Sequence, residues 1–201
     1  MYTSAGVQYI PNLLTVTRIL VTPLLLLLLT VPSQEGQATA LALFVLASLS
    51  DYYDGVLARR FQVRSRLGQY LDPLADKILV LGTFGMLAFE EPTLVPWWAV
   101  VVIALRDVAV TGLRSWVEAW GKTLHTYRVA KLKTMIQLAF LFGILVLRTA
   151  THLSPPIQQW ATWVLQESAL PGIALAVVVG FTVATGALYL IAPVEEQVEA
   201  E

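Results

Sequence analysis

The sequence predicts an all-α integral membrane protein with six transmembrane helices, and three observations carry that expectation. Of its 201 residues, 57% are hydrophobic and only 13% charged, whereas a soluble domain carries about a quarter charged residues. Six apolar runs follow one another at about 13–31, 40–57, 78–89, 96–113, 135–147 and 173–191, and one span needs roughly 20 apolar residues. The basic residues gather in alternate connections: Arg59, Arg60, Arg64 and Arg66 after the second run, and Arg114, Lys122, Arg128, Lys131 and Lys133 around the start of the fifth. The positive-inside rule puts both connections in the cytoplasm, so both termini are expected there too. Small size and the lack of a targeting peptide make a bacterial inner membrane the expected location, with an organelle membrane as the alternative. The length accommodates one membrane domain, 1–201, with a juxtamembrane segment at 1–11 and an acidic tail at 194–201 expected to be a solvated end.

Taken in order, the first run holds Arg18 with no Lys or Arg before it, which argues against a cleaved signal peptide. The second ends on Asp51 and Asp54. The third is too short to span by itself, so its helix is expected to begin earlier, through 71–77. The fourth opens on Trp97 and Trp98, suited to an outer interfacial belt together with Trp160 and Trp163, and contains Arg106 and Asp107. The fifth opens on Lys131, Lys133, Thr134 and Gln137. The connection 148–172 is expected to be an outer loop. In the last run, Gly180 with Ala184 and Thr182 with Gly186 form small-x3-small pairs that predict close helix packing within the subunit or between subunits.

Composition also narrows the chemistry. There is no cysteine, and only two histidines, so thiol chemistry is absent and any metal falls to oxygen ligands, which favours hard cations. A net charge of -1 gives no support to nucleic-acid binding.

Four carboxylates stand out. Asp51, Asp54, Asp72 and Asp76 lie at the ends of two apolar helices, where an unpaired charge costs at least about 2.5 kcal/mol. Spacings of three and four residues put each pair on one helix face, and the short connection 59–71 makes the second and third helices antiparallel neighbours with both pairs at the cytoplasmic end. Four such groups suit two Mg²⁺ or Mn²⁺ ions with positions left open for a phosphate. Gly55, Ala58 and Gly68 share those faces and leave room for a ligand.

The run Asp51-Tyr-Tyr-Asp54-Gly55-Val-Leu-Ala58-Arg59, continued by Gly68, Asp72 and Asp76, resembles the signature of the CDP-alcohol phosphotransferases, D-x2-D-G-x2-A-R-x8-G-x3-D-x3-D, at all eight fixed positions. The resemblance implies the six-span fold of that family, usually a homodimer. It also implies two metals held by Asp51, Asp54, Asp72 and Asp76, with Asp76 as the general base. Gly55, Ala58, Arg59, Gly68 and, more weakly, Ser65 would line a CDP-linked lipid such as CDP-diacylglycerol. Asn12-Leu-Leu-Thr15-Val-Thr-Arg18 is similar to the N-x2-T-x2-R opening of bacterial members, which puts Asn12, Thr15 and Arg18 beside the nucleotide.

The acceptor alcohol needs separate evidence. Arg106-Asp107, Leu113-Arg114, Gly121-Lys122 and Ala130-Lys131-Leu-Lys133-Thr134-Met-Ile-Gln137 are similar to the R-E, L-R and G-K-x-K-T-x2-Q run of the phosphatidylglycerophosphate synthase branch, with Asp107 and Ala130 as departures. So basic a stretch suits a phosphorylated acceptor. The expectation is sn-glycerol 3-phosphate, contacted by Arg114, Lys131 and Lys133 and supported by Arg106 paired to Asp107. Inositol phosphate, serine and phosphatidylglycerol are alternative acceptors. A divalent-cation transporter is the alternative from another class, disfavoured because the carboxylates lie near one face and no polar row continues through the fifth and sixth helices.

Overall fold

The computed structural model describes residues 10–61, 66–120, 122–124, 129–190 and 194–196, and side chains within 15–50, 71, 74–117, 119–120 and 132–189. Six long helices dominate: α1 (Ile10–Leu29), α2 (Gln34–Phe61), α3 (Arg66–Glu90), α4 (Trp97–Ala119), α5 (Val129–Ala150) and α7 (Leu170–Leu190). Each corresponds to one of the six apolar runs. The third helix does start before its apolar stretch, at Arg66.

Two departures from the sequence expectation concern the connections. The stretch 148–172 is not all loop: it holds the short helix α6 (Pro155–Thr162), started by paired prolines, and one π-helical turn, Trp163–Glu167. Proline at the first helical positions has no orphan N–H to satisfy and a φ already suited to a helix. The start of the acidic tail is also ordered, since β2 (Val194–Glu196) pairs antiparallel with β1 (Lys122–Leu124), Thr123 opposite Glu195. This three-residue ladder ties the end of the chain to the connection between α4 and α5. Its backbone hydrogen bonds are nonlocal, and three residues are too few for a strand period to be visible in sequence.

The helices form two groups. Among the described residues, α1 packs along both α2 and α3, more than those two pack on each other, α4 and α5 each pack on α7, and contacts of α2 with α5 and of α3 with α4 join the two groups. The shared neighbour α1 therefore carries the alignment of the two aspartate-bearing helices. Gly82 on α3 lets this happen, because a Cβ there would sit 3.2 Å from Leu26 of α1. Between the groups lies an apolar core including Phe44, Phe84, Leu87, Ile103 and Leu141, with Phe84 and Phe140 stacked at 5.7 Å.

At the end remote from the aspartates, polar side chains bind the helix termini. Ser33 caps α2, accepting from the Gly36 N–H at 3.1 Å, and Gln37 donates to the Leu29 and Val31 carbonyls at the close of α1. Arg148 donates to the Leu29 carbonyl and pairs with Glu91 at 3.2 Å. These donors meet carbonyls left over at helix C-termini. They hold α1, α2, α3 and α5 together at that end.

The outward surface is apolar. Leu20, Leu27, Leu46, Leu105, Val108 and Met135 are each at least 60% exposed. A soluble monomer rarely shows so continuous an apolar face.

Candidate active site

Asp51 and Asp54 lie on α2, and Asp72 and Asp76 on α3, with helical backbone through both pairs. Gly55, Ala58 and Arg59 continue α2, and Gly68 lies one turn before Asp72. The side chains of Asn12, Asp51, Asp54, Ala58, Arg59, Asp72 and Lys131 and the surroundings of Gly55 and Gly68 lie outside the described residues, as does Ser65 altogether. Asp76 is half-buried.

Arg18 is turned into the protein. It is 2% exposed, and its Nε donates to the Ala47 carbonyl of α2 at 3.2 Å, one turn before Asp51. The alternative for an arginine within an apolar run, snorkelling to the surface, does not occur. Thr15, one turn earlier on α1, is fully buried. Both residues thus lie where α1 meets the aspartate-bearing half of α2.

A second polar cluster joins α4, α5 and α7. The Lys133 ammonium lies 2.7 Å from both carboxylate oxygens of Asp107, and Arg106 Nη1 lies 3.2 Å from Asp107 Oδ1. The side chains of Arg106, Asp107 and Lys133 are only 12%, 8% and 8% exposed. Arg106 reaches α7 as well: Nε donates to the Thr182 carbonyl, Nη2 to Thr185 Oγ1, and the guanidinium stands 5.8 Å over the Tyr189 ring. Gln137, 1% exposed and one turn beyond Lys133, donates Nε2 to Thr182 Oγ1 at 3.2 Å, while its Oε1 meets no partner among the described residues. The Asp76 carboxylate is among the charges acting on Lys133, which links this cluster to α3. Nearby, Lys77 Nζ donates to Thr111 Oγ1 of α4 at 2.6 Å. Arg114, two turns beyond Arg106, is exposed.

Thr182, Thr185 and Tyr189 are members of this cluster that the sequence reading left without a polar role. A signal was present: residues 182, 185, 186 and 189 recur at helical spacing on one face within an otherwise apolar helix. Gly186 belongs to the same face for a steric reason. A Cβ there would lie 2.8 Å from Arg106 Cγ and 3.3 Å from its Nε, so the glycine makes room for the arginine stem. Gly186→Ala is expected to displace Arg106 from Thr182 and to lower the thermal midpoint, at an overpacking cost of about 1–3 kcal/mol. Gly180→Ala, whose Cβ would meet nothing within 4 Å, is the matched control and should be neutral or slightly stabilising.

A family model described as CDP-alcohol phosphatidyltransferase matches residues 8–188 of this chain. The chain belongs to that family. Among similar proteins is a CDP-diacylglycerol–glycerol-3-phosphate 3-phosphatidyltransferase of Rickettsia typhi (strain ATCC VR-144 / Wilmington), 35% identical over 139 residues, which cover 69% of this chain and 76% of the relative. A protein of the same name from Bacillus subtilis (strain 168) is 31% identical over 168 residues, covering 77% and 86%. Another, from Pseudomonas fluorescens, is 37% identical over 114 residues, covering 57% and 58%. The protein is a membrane-associated enzyme of this family, whose members generally use divalent metal ions. Among the described residues, two stretches, Leu132–Ala150 and Leu170–Tyr189, are long and apolar enough to cross a membrane, and Thr15–Leu29 forms a shorter apolar helix.

Proposed function

We propose that this enzyme makes phosphatidylglycerophosphate, transferring the phosphatidyl group of CDP-diacylglycerol to sn-glycerol 3-phosphate with release of CMP. The relatives named for that reaction support the donor and acceptor, and one structural observation supports the acceptor independently. The buried Arg106–Asp107–Lys133 cluster holds two cations and one carboxylate, and the remaining bonds of Arg106 go to neutral oxygens of Thr182 and Thr185. The other carboxylate acting on Lys133 is that of Asp76, which in this reading is engaged by the metals and the attacking hydroxyl, so the cluster suits an anion on the acceptor, a buried charge needing a partner. A phosphate on the acceptor meets that need, and a neutral alcohol does not.

The donor set also fits divalent metals: four carboxylates in two helical pairs, without sulfur or imidazole, match the preference of Mg²⁺ or Mn²⁺ for oxygen. Asp51, Asp54, Asp72 and Asp76 would hold two such ions, which supply charge neutralisation at the diphosphate. Asn12, Thr15, Arg18, Gly55, Ala58, Arg59, Ser65 and Gly68 would bind the CDP-lipid, Arg18 from its buried seat against α2. Lys131, Lys133 and Arg114 would orient the acceptor phosphate. Asp76 would take the proton of the attacking hydroxyl as its oxygen bonds to the lipid-side phosphorus and the bond to CMP breaks. Holding both reactants in line removes most of the entropic cost of their encounter.

The same reading includes one membrane domain of six spans, with the site and both termini cytoplasmic, in a homodimer in a bacterial inner membrane. Its best support is on α4. Exposed Trp97 and Trp98 at one end and exposed Trp116 and Trp120 at the other are centred about 31 Å apart at 1.5 Å per residue, close to the thickness of a hydrocarbon core. Tryptophans favour the two interfaces.

The test is CMP release by the purified protein in detergent with CDP-diacylglycerol, Mg²⁺ and, separately, glycerol 3-phosphate, inositol phosphate, serine or phosphatidylglycerol. Release with glycerol 3-phosphate alone, abolished by a chelator and restored by added Mg²⁺, is expected. Release with another acceptor overturns the acceptor, and release that survives chelation overturns the metal site. No release with any of the four reopens the transport alternative.

A further inference from the structure

The α4–α5 cluster raises the question of what Asp107 is for. Asp107 cannot itself attract a phosphate, being negative, and its side chain is 8% exposed. It nevertheless takes both of its oxygens to within 2.7 Å of Lys133 Nζ. An ammonium has three N–H donors, and two of these contacts leave a third donor for a ligand. Lysine is a point charge on a flexible four-carbon stem, so a two-point contact with a carboxylate fixed on another helix is a means of aiming it. The same carboxylate holds Arg106 at 3.2 Å, and the charge of Arg106 opposes that of Lys133. Without Asp107 the two cations would repel one another in a poorly solvated setting, and the mobile lysine stem is the one that would move.

We infer that Asp107 is a positioning residue for the acceptor: it acts on the acceptor's phosphate through Lys133, by fixing where the ammonium stands between α4 and α5. This rests on the proposed use of a phosphorylated acceptor and goes beyond it, because it assigns a specificity role to a residue that touches neither substrate. It also accounts for an acidic side chain inside a basic pocket. A role in stability alone would leave the affinities for the two substrates changing together, or not at all.

The experiment compares wild type, Asp107→Asn, Asp107→Glu, Lys133→Gln and the double variant Asp107→Asn/Lys133→Gln in CMP release. It reads KM for glycerol 3-phosphate, KM for CDP-diacylglycerol and Ki for inorganic phosphate as a competing anion. Asp107→Asn is expected to raise KM for glycerol 3-phosphate and Ki for phosphate together, about ten-fold, because a misaimed ammonium forfeits part of a charge-assisted hydrogen bond, with KM for the lipid within two-fold. Asp107→Glu, which keeps the charge, should restore most of the loss. The double variant should match Lys133→Gln alone, since a residue acting only through Lys133 has nothing left to do once the ammonium is gone. Multiplicative losses in the double variant would overturn the inference, as would parallel changes in both KM values, or a lower KM for glycerol 3-phosphate in Asp107→Asn. If Asp107→Asn alone does not fold, the double variant keeps the net charge of the cluster, and its comparison with Lys133→Gln decides. A wild-type protein that releases no CMP with glycerol 3-phosphate overturns the proposed function, and this inference with it; an active wild type with the wrong variant pattern overturns only the inference.

Discussion

Asp76→Asn is expected to lower kcat by at least about 1,000-fold, within the range attributed to a positioned general base, while the protein keeps its fold and its extraction behaviour in detergent. Asp76 is half-buried on α3, and its charge acts on Lys133 of α5. A base at that point lies beside the group proposed to hold the acceptor's phosphate, so the hydroxyl to be deprotonated and the phosphate that anchors it belong to one small ligand. Asparagine preserves shape and one acceptor oxygen but cannot take a proton. The measurement is kcat at saturating substrates, with the thermal midpoint recorded alongside; activity within ten-fold of wild type in a folded variant removes Asp76 as the base.

Lys133→Met is expected to have the second largest effect, through affinity more than turnover. Methionine keeps much of the length and apolar character of the stem but removes the ammonium, so a charge-assisted hydrogen bond to the phosphate disappears and KM for glycerol 3-phosphate should rise about 100-fold. KM for CDP-diacylglycerol should change little. The substitution also leaves Asp107 with Arg106 at 3.2 Å as its remaining described partner. Breaking a buried pair costs about 3–5 kcal/mol when the other charge is stranded, and the surviving arginine should hold the loss near the lower end. Steady-state kinetics with both substrates varied, together with a thermal midpoint, separate the two consequences. Equal increases in both KM values would break the proposed acceptor pocket.

How much of this could be read before the structure depended on whether a feature is local along the chain. The six apolar runs correspond to six long helices because the hydrophobicity of a span is a property of one continuous segment by itself, and the family signature is likewise a pattern within a single stretch from Asp51 to Asp76. The early start of α3 was legible because residues 71–77 have helical spacing even though Asp72, Asp76 and Lys77 interrupt their apolar character. Features that depend on which elements meet were not legible. Helix α6 and its π turn were concealed in a connection whose tryptophans and prolines fit an interfacial loop equally well. The ladder of 122–124 with 194–196 joins segments that have α5, α6 and α7 between them in the chain. Arg18 has a sequence consistent with snorkelling, and only the packing of α1 on α2 turns it toward the Ala47 carbonyl.

The sequence by itself determined the helical class, the family, and the two carboxylate pairs with their spacing, because periodicity, hydropathy and motif are written in the order of residues. The tertiary structure decided which charge meets which. Asp107 could have paired with Arg114 on its own helix or with any of the basic residues that open α5. It meets Lys133 because α4 and α5 bring those two positions together, and Arg106 reaches Thr182 because Gly186 leaves space on α7. An ion pair acts only over short distances, and whereas Arg106 and Asp107 are neighbours in the chain, Lys133 stands on another helix 26 residues from Asp107, so helix packing rather than spacing selects that partner.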